Sequence, residues 1–246
     1  MRRDPRNEGF ILINAIWLLL LCGSIAALIM LRGIERGSAA RADGDALNAR
    51  LGLESGVEAV IADILFNGPR SRWATLPASG SIEVGGDLPP QVRVSSETGR
   101  LDLNDGNLDT IDLALRGFGI DATRRRALVD ELRAKRARKE RIGSWAEAQM
   151  LLAGVQGNAR RQQCLEQDLT LYSGLAAPRP DQASPQLAHA LGLAVAGSSA
   201  AIEPGAAIRI EVTAPQGMAL TSVVRLTGAR DDPYVAMRWD FGAPCG

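Results

Sequence analysis

Asn7-Glu8-Gly9-Phe10-Ile11-Leu12-Ile13-Asn14-Ala15-Ile16-Trp17 opens the stretch on which the reading of this chain turns. From Phe10 to Leu31 the residues are almost all apolar, with Asn14 and Ser24 as the polar exceptions. At about 1.5 Å of rise per residue, a helix over this run reaches roughly 33 Å, enough to cross a hydrocarbon core of about 30 Å. Arg2, Arg3 and Arg6 precede the run, and Arg32, Glu35 and Arg36 end it. Basic residues ahead of a span favour a cytoplasmic N-terminus, although Arg32, Arg36 and Arg41 on the far side weaken that asymmetry. The expectation is a single-pass chain with everything after Leu31 outside the cytoplasm.

Two kinds of processing compete at this end. An ordinary secretory signal has a shorter apolar region followed by small residues, and Ser38-Ala39-Ala40 leaves that reading open. The other reading starts from Gly9-Phe10, set between a short arginine-bearing leader and an unbroken apolar run. This resembles the cleavage site of type IV prepilins, cut after the glycine. The resemblance implies a leader over 1–9, a mature N-methylated Phe10, a transmembrane half of the N-terminal helix over 10–31 and an exported half over 32–67. Prepilin peptidase is then an expected partner. Most pilins carry a glutamate at the fifth mature position, and here that position is Asn14. A carboxylate in a bilayer is costly unless paired. Its absence suits a subunit at a fibre tip, with no neighbour above it; the alternative is an incidental polar residue near the interface.

Beyond the apolar run, Val57, Val60, Ile61, Ile64 and Leu65 recur with the spacing of one helix face. Asn67-Gly68-Pro69 stops that helix. Gly33, Gly37 and Gly44 lie between run and stripe, and each costs about 1 kcal/mol relative to Ala in a helix interior, so a bend or loosened turn is expected there. Ser81-Ile82-Glu83-Val84, Gln91-Val92-Arg93-Val94 and Arg100-Leu101-Asp102-Leu103 alternate as half-buried strands do. Asp105 to Leu171 reads as short helices punctuated by Gly117, Gly119, Gly154 and Gly157. Three more strands follow, around Ile208–Val212, Val223–Leu226 and Val235–Trp239.

The expected fold class is therefore α+β: a pilin-like long N-terminal helix on a small antiparallel sheet, with a helix-hairpin-helix-like domain inserted in the sheet. The sheet region covers 70–104 and 205–246, and the insert with its trailing linker covers 105–204. This order resembles protein K, a minor pseudopilin of type II secretion systems. The resemblance rests on Leu101-Asp102-Leu103-Asn104, Gly143-Ser144-Trp145, Leu152-Ala153-Gly154-Val155, Leu169-Thr170-Leu171-Tyr172-Ser173, Ile208-Arg209-Ile210-Glu211-Val212 and Arg238-Trp239. It implies an inner-membrane protein with a periplasmic C-terminal domain. It also implies two other minor pseudopilins as partners in a tip complex, and a role in assembling the fibre that exports folded proteins across the outer membrane. The alternatives are a minor pilin of a type IV pilus or competence system, or a membrane-anchored periplasmic binding domain.

The chain has 28 basic and 28 acidic residues, so bulk charge points to no nucleic acid. One histidine, His189, leaves no material for a Ser-His-Asp triad beyond it or for a multi-histidine zinc site; it reads as a surface or structural residue, and no catalytic residues are assigned. Asp102, Asn104, Asp105, Asn107, Asp109 and Asp112 form an oxygen-rich run that would suit either calcium or helix capping. Related pseudopilins have been seen with calcium in the helical lobe. Their acidic loop is replaced here by Lys135, Arg136, Arg138, Lys139, Glu140 and Arg141, so no metal and no cofactor is carried over. The basic run Arg124 to Arg141 reads as a solvated face or a patch for an acidic partner, against a DNA-binding alternative. Cys22 lies in the apolar run. Cys164 and Cys245 could close a loop of about 80 residues, worth about 4 kcal/mol if bridged.

Overall fold

The structure, a computed structural model, describes residues 6–84, 89–153, 165–194, 199–203, 205–215 and 217–242; the side chains of 6–12, 29, 31 and 33–42 fall outside that description. The fold is mixed α+β, divided into two compact units, Met1–Arg50 and Leu51–Gly246.

Helix α1, Arg6–Asn67, runs through Gly33, Gly37 and Gly44 as one hydrogen-bonded helix, where a loosened turn was expected. The glycines are isolated among Ala, Leu, Arg and Glu, whose propensities carry them. In the first unit the described apolar side chains are exposed, Trp17 at 69% and Leu19 at 71% among them. Among the described residues no helix is long and apolar enough to cross a membrane. The side chains of Phe10, Ile11, Leu12, Ile29 and Leu31, which belong to the expected span, lie outside the described residues.

The second unit begins with the end of α1. Leu53, Val57, Val60, Ile61 and Ile64 are all buried there. Leu65, placed on that stripe by its spacing, is 38% exposed, and Leu53, one turn earlier, takes its place in the core. Gly68 ends the helix with φ of +51°, a conformation favoured by glycine.

The strands that follow are β1 (Thr75–Leu76), β2 (Ala78–Ser81) and β3 (Gln91–Ser96). Strand β2 ends where the alternation of Ser81–Val84 predicted it to begin. The small residues of β2 accommodate Trp73, whose ring would lie 3.5 Å from a Cβ at Gly80. Next come β4 (Leu101–Asp102), helices α2 (Leu108–Gly117), α3 (Ala122–Ala137) and α4 (Trp145–Ala153), then β5 (Leu169–Thr170) and α5 (Pro185–Leu191). The chain finishes with β6 (Ala200–Ala201), β7 (Ala207–Thr213), β8 (Ala219–Leu226) and β9 (Tyr234–Gly242).

A five-stranded antiparallel sheet has the order β2-β3-β7-β8-β9. Strands β3 and β7 are neighbours in space although the whole helical lobe separates them in sequence. The sheet's inner face carries Val92, Val94, Ile208, Ile210, Val212 and Leu220, which form one core with α1. Gly56 allows α1 to come close, since a Cβ there would lie 3.0 Å from Val212 Cγ1.

The lobe has its own core, including Leu101, Leu103, Ile111, Leu132, Trp145 and Leu187. Leu101-Asp102 is thus no part of the large sheet: β4 pairs in parallel with β5 inside the lobe, and both its residues are buried. The expected Val235-Met237-Trp239 face is also interrupted. A register shift opposite Val223/Val224 inserts Met237, so Tyr234 shares the core side with Trp239 while Val235 is 50% exposed.

Candidate functional site

The outer face of the large sheet is where the lobe and the sheet meet. Strand register places Ser95, Arg209, Val223 and Arg238 side by side on that face, one per strand across β3, β7, β8 and β9. Arg209 is 1% and Arg238 7% exposed. A buried guanidinium is costly unless paired and hydrogen-bonded, and both are paired.

Arg209 Nε donates to Glu97 Oε1 at 2.8 Å, and its Nη1 donates to the Glu166 carbonyl at 2.6 Å. Arg209 Nη2 reaches Glu97 Oε2 and the Leu169 carbonyl, each at 3.3 Å. Glu97 is fully buried; it also accepts from Thr170 Oγ1 and lies 3.2 Å from Arg100 Nη1. Arg100 donates in turn to the carbonyls of Ser96 and Gln167. Desolvation would push the Glu97 carboxyl up, but Arg209, Arg100 and the hydrogen bonds outweigh it and hold it below its usual value. Burial and the neighbouring Arg209 pull Arg100 down to about 10. Arg238 donates to Glu166 Oε2 at 3.0 Å and Asp240 Oδ2 at 2.7 Å, and its guanidinium lies over the Trp145 ring at 4.5 Å. The ring face takes the place of an acceptor for Arg238 Nη1, which has none among the described residues.

Beyond this latch the outer face is left uncovered by the described residues. Register aligns Ser79, Arg93, Glu211, Thr221 and Asp240 in one row across all five strands. This row forms the floor of a cleft of about 630 Å³, walled by Ala146 and Gln149 of α4 and by Glu166 and Gln167.

The residues singled out from the sequence fall elsewhere. The backbone of Gly9 and Phe10 lies in α1. Asn14 is exposed on α1, as is Cys22, which is a free thiol. Cys164 and Cys245 lie outside the described residues, so their pairing is untouched by the geometry. His189 is exposed on α5.

The oxygen-rich run serves as scaffolding. Asp102 accepts from the amides of Asn104 and Asp105 and, through its other oxygen, from Ser173 Oγ and the Gly174 amide. The Asn104 side chain pairs with both backbone groups of Ile142, and Asn107 caps α2. Arg141 holds Asp105 in a bidentate pair, and Arg125 holds Asp112 at 3.0 Å. Among the described residues no group of three or more His, Cys, Asp or Glu side chains is placed to hold a metal.

Much of the basic run is paired locally. Lys135 pairs with Glu147 at 2.7 Å and Arg138 with Glu140 at 2.9 Å, while Arg136 Nη2 donates to the carbonyls of Leu103 and Gly106. In a DNA-binding helical hairpin the amides at the start of the second helix would face phosphate. Here Asp121 caps α3 and takes the amides of Thr123 and Arg124, each at 3.1 Å, leaving a carboxylate where a phosphate would sit. An anisotropy titration of the protein against duplex DNA at low salt is expected to give no saturable binding; tight binding with a steep salt dependence would contradict this geometry.

The sequence reading passed over Glu97, Glu166, Arg209 and Arg238 as a set. Arg209 and Arg238 stood in the quoted motifs, but nothing in their spacing marks them as buried, and Glu97 pairs with a residue 112 positions away. In comparisons with known proteins, no family model, no curated protein and no solved structure matches the chain.

Proposed function

We propose that the chain is a minor pseudopilin of the protein K type: a non-enzymatic subunit at the tip of a type II secretion pseudopilus, anchored in the inner membrane with its C-terminal domain in the periplasm. The observation that carries this reading is the order of parts. One long N-terminal helix begins beside a Gly-Phe pair, its last turns pack on the inner face of a five-stranded antiparallel sheet, and a helical lobe stands between neighbouring strands β3 and β7. The apolar side chains exposed on the first part of α1, from Ile13 to Met30, suit a helix that meets lipid or other helices rather than water. A bulky lobe on the sheet suits a subunit that nothing is added above, and Asn14 in place of a glutamate suits the same position. In this role two other minor pseudopilins complete the tip complex, and the fibre below it drives folded proteins through an outer-membrane channel.

The test is N-terminal sequencing and intact mass of the membrane-extracted protein, made with and without prepilin peptidase. The expected result is a start at N-methylated Phe10 only when the peptidase is present. A start at Met1 in both, or near Ala40, would overturn the reading. Co-purification with the two partner pseudopilins then separates this system from other fibre types.

A further inference from the structure

We propose that the cleft on the outer face of the sheet is a binding site for a neutral oligosaccharide. The inference stands on the second unit alone and does not depend on the assembly role.

The cleft has the size of a small-molecule site, about 630 Å³. Its charges balance: Arg93, Arg209 and Arg238 stand against Glu166, Glu211 and Asp240. The two buried arginines are moreover already paired, with Glu97, Glu166 and Asp240. A site for a phosphate, an acidic peptide or a polycation would carry an excess of one sign, and this one does not.

Hydrogen-bonding capacity, in contrast, is left over. Among the described residues, Gln91, Arg93, Glu211, Thr213 and Thr221 line the floor, and no hydrogen bond or ion pair of their side chains is found. Three of these are planar groups, an amide, a guanidinium and a carboxylate, each able to meet two adjacent hydroxyls at once.

A peptide finds less here. The floor is a sheet face, so the backbone groups of its central strands are spent on the ladder and offer no strand to pair with. Apolar anchors, on which peptide recognition leans, are missing from the floor, where Ala219 is only 5% exposed.

The experiment uses the full chain in a detergent without a sugar headgroup, screened on an array of neutral and charged oligosaccharides. Hits are measured by calorimetry at low and high salt. The expected result is binding of at least one neutral oligosaccharide with an affinity that salt leaves unchanged. Glu211→Ala and Gln91→Ala should each weaken it about tenfold. Both sites are solvent-accessible, so the thermal midpoint should not move. Three results would overturn the proposal: no neutral glycan bound anywhere on the array, binding that survives the double substitution, or binding confined to charged glycans or to peptides with a steep salt dependence.

Discussion

Glu97→Ala should destabilise the second unit by about 3–5 kcal/mol, the cost of leaving a buried charge without its partner. Arg209 would remain 1% exposed, with two carbonyls as its only acceptors, and Arg100 would lose its nearest carboxylate. Arg209→Ala should cost a similar amount, because Glu97 would keep Arg100 and Thr170 but lose its two bonds from Arg209. Removing both charges together should cost much less than the sum, since a buried pair replaced by apolar groups is often close to neutral. Urea unfolding of the four proteins measures this coupling. Additive losses would mean that the pair is no latch. The latch should also be robust to acid. Glu97 is held below its ordinary value of 4.5, so its contribution is present above that pH and is lost only as the pH falls through the lower, folded-state value. The wild-type advantage over Glu97→Gln should therefore persist at pH 5 and shrink only below about pH 4.5.

Local periodicity carried much of the fold. The stripe Val57, Val60, Ile61 and Ile64 announced the buried face of α1, and Ile208, Ile210 and Val212 announced the inner face of β7, because each pattern follows the geometry of one element. Where a neighbour set the outcome, the sequence was mute. Leu101-Asp102-Leu103 alternates like a half-buried strand, yet all three residues are buried, since Asp102 turns inward to satisfy four donors. One inserted residue, Met237, reversed the faces of half of β9. Arg209 reads as a solvent-facing position between two core isoleucines, and the residues that bind its guanidinium, Glu97, Glu166 and Leu169, lie at least 40 positions upstream. The uncovered part of the same face, with Arg93, Glu211 and Thr221, has the same alternation as the covered part. No local pattern distinguishes cleft floor from latch; only the placement of the lobe does.

Gly117→Val should destabilise the lobe by about 1–3 kcal/mol and displace α5, although Gly117 itself is exposed. Read from the sequence, Gly117 and Gly119 are turn punctuation, and Gly119 does fit that description with φ of +78°. Gly117 has a different reason to be glycine. A Cβ there would lie 2.4 Å from Ala190 Cβ and 2.6 Å from Ala190 Cα, so α2 and α5 touch at this point with no flexible side chain to yield. Helix α5 is also held by Leu187, one turn before Ala190 and fully buried in the lobe core, and by the Ser184 cap. A wedge at Gly117 must therefore strain the core or break the cap. Gly52, also in a helix, has nothing within 4 Å of its would-be Cβ. Gly52→Ala should stabilise the protein by roughly 0.5–1 kcal/mol through helix propensity alone. Thermal unfolding of the two variants separates contact from propensity. Gly117→Ala combined with Ala190→Gly tests the contact directly: the pair should recover only part of the loss from Gly117→Ala, because the added Cβ would still lie 2.6 Å from the residue-190 Cα. If the second change only adds to the damage, the glycine is required for its backbone and not for the room it leaves.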